Sequence, residues 1–241
     1  MSKNFKVLLI QFRLCDEIKA HELRCIQTSS NIPCDDIRVI NATQPINSSE
    51  AFDNADLIIL GGSGDYSIFD SLAGWEVVNS WLEDAFLNAK PVLGLCLGAQ
   101  YLAHFFGGVV ISDYKLRELG SCSVELTNEG RFHPLFSDFP ERFIVQSGHN
   151  QTITELPNNA VVLAKNHKAI QAFYWPDTNI YGIQFHPELT KADMLYRVNK
   201  YKDDYASDAS LLNSVISSAE DSLYTNKFIA KYIAYVKGLV N

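Results

Sequence analysis

Stretches of apolar and mixed residues alternate along the first part of the chain. Residues 6–12 and 56–60 are almost continuously apolar, as parallel strands covered on both faces are, and residues 36–40 are a weaker strand candidate. Residues 16–28 and 75–89 repeat apolar positions at the spacing of an amphipathic helix. The resulting β-α-β-α order predicts an α/β fold built on a doubly wound, mostly parallel sheet.

The pattern changes after Gly107 and Gly108 to short β-rich segments separated by turn signals such as Asn128-Glu129-Gly130. These segments are residues 109–112, 121–127, 143–147, 160–164, 170–175 and 180–185. We expect them to add an antiparallel extension to the sheet. From residue 191 onward, apolar residues recur every three or four positions, which predicts C-terminal helices ending near Gly238. A single domain is expected, with a core at about residues 5–190 and a helical extension at residues 191–241.

The composition is that of a protein that folds along its whole length, since 47% of its 241 residues are apolar and 20% are charged. A net charge of −8 makes nucleic acid and anionic membrane surfaces unexpected partners. The five cysteines form no C-x-x-C pair, and polar residues interrupt the N-terminal apolar run, so we expect a reducing, cytoplasmic location. No cofactor or metal is expected, because the histidines show no ligand spacing.

One uncharged stretch, residues 91–112, has the length of a membrane span. Glycines and polar residues interrupt it, which predicts a strand, a turn and a helix of a buried α/β unit instead.

The candidate nucleophile is Cys96, which lies within this stretch in the pattern Gly94-x-Cys96-x-Gly98. A nucleophile on a sharp strand-to-helix turn has a strained backbone and needs small neighbours two positions away on each side, which the two glycines supply. A sulfur at a helix N-terminus faces free N–H groups that favour the thiolate. The other cysteines lack these flanks and are expected to be small apolar fillers.

A base and a group to orient it follow a later apolar strand, in the triplet His186-Pro187-Glu188. An imidazole at the carboxyl end of a strand lies where the crevice of a parallel sheet opens. Because Pro187 keeps the backbone extended, Glu188 is expected to reach the ring of His186. This completes a predicted Cys-His-Glu triad.

Thiolate attack on a carbonyl also requires donors for the oxyanion. The N–H of Leu97, the residue after the nucleophile, is one candidate. The loop Gly61-Gly62-Ser63-Gly64 follows a predicted strand and offers bare backbone that could approach the same carbonyl. The loop lacks the ending of a P-loop, although taken alone it is also compatible with a tight turn.

Together these residues resemble the class I (triad) glutamine amidotransferases, in particular stand-alone members similar to the glutaminase half of GMP synthase. The resemblance is strong over roughly residues 55–190 and implies a flavodoxin-like fold. Besides the triad and the two glycine segments, it includes Arg117-Glu118-Leu119-Gly120, Val124 to Thr127, His133 to Phe136, His149, Leu156-Pro157 and Gln171-Ala172-Phe173.

The resemblance implies that Cys96 attacks a γ-glutamyl amide to form a thioester, while His186 shuttles the proton and Glu188 holds His186. By the same matching, Gly62 and Leu97 supply the oxyanion N–H groups, with Ser63 a second candidate in the loop. It further implies that Gln100 and the backbone around Gly148 and His149 bind the substrate's α-amino and carboxylate ends. A structural role at a strand end is an equal alternative for His149.

Three functions remain open at this stage. The first is a glutaminase that supplies ammonia to a separate synthetase, because no nucleotide-binding portion follows the triad. The second is a γ-glutamyl peptidase with the same triad and water as the acceptor. The third is a non-catalytic interaction protein on the same fold. The expected ligand is a small γ-glutamyl compound, with no nucleic acid and no membrane as partners.

Overall fold

The computed structural model of the chain describes residues 4–202 and 209–238. The described strands are β1 (Val7–Gln11), β2 (Ile37–Asn41), β3 (Leu57–Leu60), β4 (Val92–Leu95), β5 (Val109–Ser112), β6 (Glu118–Leu126), β7 (Arg142–His149), β8 (Gln151–Glu155), β9 (Val161–Lys165), β10 (Ile170–Tyr174) and β11 (Ile180–Ile183). The described α-helices are α1 (Asp16–Ser30), α2 (Glu50–Asp53), α3 (Trp75–Leu87), α4 (Leu97–Phe105), α5 (Asn128–Phe132), α6 (Lys191–Lys200), α7 (Ala209–Ser217) and α8 (Phe228–Val236).

The main sheet has nine strands in the order β2-β1-β3-β4-β11-β10-β9-β6-β7. The first five are parallel to their neighbours, and each later strand is antiparallel to the one before it. The predicted doubly wound sheet with an antiparallel extension is therefore confirmed. Because β4 and β11 are parallel neighbours, with Leu95 beside Ile183, Cys96 and His186 follow adjacent strand ends.

Several predicted elements differ in place or in partner. The strand at residues 109–112 lies outside the main sheet and pairs with β8, which was not predicted from the sequence. The sequence of β8, Gln-Thr-Ile-Thr-Glu, has a single strongly apolar residue and so gives little strand signal. The predicted turn at Asn128-Glu129-Gly130 is instead the start of the short helix α5, because the Thr127 side chain accepts a hydrogen bond from the Gly130 N–H.

Apolar clusters cover both faces of the sheet. The predicted C-terminal helices are present, and they differ in what they contact. Phe228, Ile229 and Tyr232 of α8 are buried in the cluster that also contains Val7 and Leu9 of β1, so α8 covers the sheet. Helix α6 packs against β6 and β7 and lines the site described below.

The uncharged residues 91–112 divide into β4, α4 and β5. Within the two described ranges, no helix has both the length and the apolar character needed to cross a membrane.

Candidate active site

Cys96 stands between the end of β4 and the first residue of α4, with φ 51° and ψ −104°. Such a conformation is rare for residues other than glycine. A Cβ on Gly94 would lie 2.6 Å from the Gly98 carbonyl oxygen, and a Cβ on Gly98 would lie 2.3 Å from the Leu60 carbonyl oxygen. The two glycines therefore make the turn sterically feasible, as the spacing predicted.

His186 and Glu188 are held together beside this turn. The His186 N–H donates to the Gln146 carbonyl at 2.8 Å, which anchors the segment after β11 to β7. The Nδ1 atom of His186 lies 2.8 Å from Oε1 of Glu188. Cys96, His186 and Glu188 are 3%, 4% and 4% exposed, so their interactions are little screened by water.

The protonation of the histidine is set by this burial and by its neighbours. Burial favours the neutral imidazole, but attraction to Glu188 and to Cys96 outweighs it and raises the pKa of His186 to about 9. For Glu188, burial opposes the carboxylate, yet the charges of His186 and Arg197 and its hydrogen bond to His186 lower its pKa to about 2. The pair is therefore stable as imidazolium and carboxylate, and in this form His186 can donate a proton but cannot accept one.

The predicted oxyanion donors lie against the same residues. A Cβ on Gly62 would lie 3.0 Å from His186 Cε1 and 3.4 Å from Cys96 Cβ, so the backbone at Gly62 directly faces both. The Gly98 N–H donates to the Gly61 carbonyl at 3.1 Å and ties this loop to α4. Leu97 is the first residue of α4, where backbone N–H groups have no partner within the helix.

A pocket of about 250 Å³ opens at Cys96. The predicted residues Leu97, Gln100, Gly148 and His149 line it together with Cys96. The remaining lining residues are Ser63, Gly64, Asp65, Tyr66, Ser67, Asp70, Asn150 and Gln151. The fold thus brings the candidate nucleophile and the residues matched to substrate binding to one cavity, although they come from the turn after β4, from α4 and from β7.

Two of these side chains, Gln100 and Ser63, make hydrogen bonds to other residues of the protein. Gln100 Nε2 donates to the Gln151 carbonyl at 2.7 Å and to Gln184 Oε1 at 3.2 Å. The Ser63 hydroxyl donates to the Phe12 carbonyl and accepts from the N–H groups of Asp65 and Tyr66, so it shapes the loop.

A buried carboxylate for which no role was predicted holds His149. Glu118 Oε2 lies 3.0 Å from His149 Nε2 and accepts from Gln171 Nε2 at 2.5 Å, while its Oε1 accepts from Asn166 Nδ2 at 2.8 Å. Two segments that carry the family resemblance, around Glu118 and Gln171, therefore meet at His149. The resemblance was the signal for these residues, but only the fold shows what they contact.

Two buried arginines were also missed. Arg197 of α6 places Nη1 3.3 Å from Glu188 Oε1, which gives the carboxylate a second cationic neighbour. Arg13, just after β1, pairs with Glu22 at 2.9 Å. A Cβ on Gly62 would lie 3.3 Å from Arg13 Nη2, so this pair directly supports the glycine loop.

One group of possible metal ligands occurs in the described part of the chain. Atoms of His21, Cys25 and Asp193 lie within 4.8 Å of one another. Burial raises the pKa of Cys25 to about 12, which disfavours the thiolate that a metal would require. Arg197 Nε is 3.4 Å from His21 Nδ1 and adds a positive charge beside the group. We therefore assign this group no metal.

The comparison with known families agrees with this geometry. The model of the family described as glutamine amidotransferase class-I matches residues 21–197. The chain belongs to this family. The match includes Cys96, His186 and Glu188, and it ends at Arg197 of α6.

Several similar proteins are named as glutamine-hydrolysing GMP synthases. A glutamine-hydrolysing GMP synthase of Borrelia garinii is 42% identical over 103 residues, which are 43% of this chain and 19% of that protein. A protein of Pyrococcus abyssi, named as one subunit of a glutamine-hydrolysing GMP synthase, is 31% identical over 157 residues, which are 65% of this chain and 78% of its own. The match of this family member covers about a fifth to a quarter of the length of these bacterial GMP synthases.

Solved structures share the fold over nearly the whole chain. A glutamine amidotransferase of Thermotoga maritima has a TM-score of 0.74 at 20% identity and covers 97% of this chain and 98% of its own. One from Methylobacillus flagellatus has a TM-score of 0.73 at 20% identity, with coverages of 98% and 96%. At these identities the likeness supports the fold of this family member and no finer property.

Proposed function

We propose that the protein hydrolyses the side-chain amide of glutamine, or a closely related γ-glutamyl amide, through Cys96, His186 and Glu188. The observation that carries the proposal is the imidazole of His186, which is held by Glu188 beside Cys96 at the edge of a pocket. The family and its glutamine-hydrolysing relatives support the same chemistry.

In the first half-reaction, the Cys96 thiolate attacks the amide carbon, and His186 is in the imidazolium form. The tetrahedral intermediate carries its negative charge on oxygen, where the N–H groups of Gly62 and Leu97 would stabilise it. The C–N bond then breaks, the imidazolium gives its proton to the leaving nitrogen, and ammonia departs. The γ-glutamyl group remains as a thioester on Cys96.

In the second half-reaction, water attacks the thioester while the neutral imidazole of His186 takes its proton. The C–S bond breaks, glutamate is released and the thiolate returns. Glu188 stays ionised throughout, because its pKa is held low, and it stabilises the imidazolium of the resting enzyme.

The α-amino and carboxylate ends of the substrate would lie in the 250 Å³ pocket. Among the described residues, His149 Nδ1 is buried without a hydrogen-bond partner, which leaves it available to a ligand. Asp65 and Asp70 line the same pocket and favour an ammonium group over an additional carboxylate.

A separate synthetase is the proposed acceptor of the ammonia. The Pyrococcus abyssi relative, of comparable length, is named as one subunit of a GMP synthase, which implies a second polypeptide in that protein. For this chain we propose the same division of labour, in a cytoplasmic setting, without assigning the product.

The test is release of ammonia and glutamate from glutamine by the purified protein. We expect Cys96→Ala to abolish release and Cys122→Ala, a matched change at a thiol outside the site, to retain it. In parallel, a glutamine-like electrophile should label Cys96 before the other cysteines. Burial raises the pKa of Cys25 and Cys122 to about 12 and keeps them as thiols. Release that persists in Cys96→Ala, or uniform labelling with no release, would exclude the proposed mechanism.

A further inference from the structure

Two pockets meet at the catalytic residues, one on each side of them. The larger pocket, of about 250 Å³, is lined by Cys96 and Leu97. A smaller pocket, of about 50 Å³, is lined by His186 instead. Ser63, Gly64 and Gly148 belong to both and form the boundary between them. The sulfur therefore faces one cavity and the imidazole faces the other.

One wall of the smaller cavity, which we call the α6 pocket, is formed by the C-terminal part of the chain. Met194 and Val198 of α6 line it, together with Tyr201, the residue that follows the helix. Tyr201 lies directly over the glycine loop, since a Cβ on Gly64 would be 2.6 Å from its ring. Its hydroxyl accepts from Arg13 Nη1 at 3.3 Å. The wall is thus fixed both by packing and by a hydrogen bond.

In amide cleavage by a cysteine and a histidine, the imidazole protonates the leaving nitrogen, so the leaving group departs on the side of the imidazole. We propose that the α6 pocket is the leaving-group subsite of this enzyme. Met194, Val198 and Tyr201 then restrict the leaving group to ammonia or a very small amine. This inference rests on the proposed function and selects primary amides such as glutamine over γ-glutamyl peptides.

The size of the α6 pocket supports this restriction. About 10–15 Å³ of such volume is the least that holds one water molecule. A pocket of about 50 Å³ is thus room for about four water-sized groups. It admits ammonia or an amine with one or two carbons, whereas an amino acid, which is larger, would not fit entirely within it.

The chemistry of the lining supports it as well. Arg13 and Arg197 line the α6 pocket, and their positive charges disfavour an ammonium ion, so the amine would leave in its neutral form. Arg197 Nη2 is buried and has no hydrogen-bond partner within the described residues. It is available to donate to the lone pair of ammonia, or to the water that takes the same place for thioester hydrolysis.

The arginines could instead attract the carboxylate of a leaving amino acid, and the experiment distinguishes these outcomes. Binding to the Cys96→Ala protein, which cannot turn over, is measured by calorimetry for glutamine, γ-glutamylethylamide and γ-glutamylglycine. We expect γ-glutamylglycine to bind at least about 10-fold more weakly than glutamine, the discrimination typical of one excess group in a tight pocket. Equal or tighter binding of γ-glutamylglycine would overturn the inference while leaving the γ-glutamyl site intact.

A pair of matched variants then tests the wall itself in the same Cys96→Ala background. Val198 lines the α6 pocket, whereas Val215 of α7 lies in the same apolar cluster outside it. Val198→Ala should improve the affinity for γ-glutamylglycine relative to glutamine by about 10-fold or more, and Val215→Ala should leave this ratio unchanged. An identical ratio in both variants would refute the assignment of the wall. Failure of the Cys96→Ala protein to bind any of the three compounds would refute the proposed function, and this inference with it.

Discussion

The imidazolium of His186 should make the stability of the protein depend on pH in a direction that can be calculated. The pKa of this group is 6.5 in the unfolded chain and about 9 in the folded protein. Between these values the native state binds more protons than the unfolded state, so stability falls as the pH rises. The contribution of His186 to the free energy of unfolding is complete below pH 6.5 and is lost as the pH rises through about 9.

The expected size follows from the same shift. At about 1.4 kcal/mol per pKa unit, the contribution of His186 between pH 6 and pH 9 is about 3 kcal/mol. Glu188 adds little to the change in this range, because its pKa shifts from 4.5 to about 2 and its contribution is lost only on acidification through that range. Cys25 and Cys122, whose pKa values are raised to about 12, add a smaller loss near pH 9, so the contribution of His186 is the difference between the wild type and His186→Ala.

The measurement is urea unfolding of the wild type and His186→Ala at several pH values from about 6 to 9. His186→Ala should still fold, because Glu188 retains Arg197 at 3.3 Å. We expect the wild type to lose about 3 kcal/mol more than His186→Ala over this range. Cys96→Ala should show an intermediate loss, since Cys96 is one of the causes of the raised pKa. Equal pH dependence of the wild type and His186→Ala would refute the reasoning.

Two further predictions concern stability. Gly98→Ala should destabilise the protein by more than about 3 kcal/mol in thermal or urea unfolding, because its Cβ would lie 2.3 Å from the Leu60 carbonyl oxygen. Gly107→Ala, which has a positive φ but meets no atom within 4 Å, should cost only about 1–2 kcal/mol, and a reversed order would contradict the steric argument. Glu118→Ala should cost about 3–5 kcal/mol, because it leaves the buried donors of His149 and Gln171 without an acceptor. On the same strand, Glu125→Ala removes a half-exposed partner of Arg142 and should cost at most about 1 kcal/mol; equal losses would show that the buried network contributes nothing.

Much of the candidate site was predictable because its defining residues are close along the chain. The elbow from Gly94 to Gly98 is one turn of backbone, and its two glycines are required by contacts within a few residues of Cys96 or with the adjacent strand β3. His186 and Glu188 are two residues apart, so their contact depends mainly on local geometry. The parallel half of the sheet was predictable for a similar reason, because long apolar strands alternate with amphipathic helices.

Other features depend on residues that are distant in sequence. Arg197 contacts His21 across 176 positions, and Tyr201 contacts Arg13 across 188. Glu118, His149 and Gln171 come from three different strands. A single sequence does not show which buried charged residues contact one another, so these pairs could not be predicted. The same applies to β8, whose weak apolar pattern becomes a strand only through its pairing with β5.

The sequence by itself determined the type of sheet, the strained cysteine turn and the three residues that we propose as the triad, because each follows from short-range spacing and backbone sterics. Only the tertiary structure decided how these groups are charged and what surrounds them. Attraction to Glu188 and Cys96 outweighs burial and sets the protonation of His186, and Arg197 helps to keep Glu188 ionised. The wall formed by α6 sets the size of the cavity beside them.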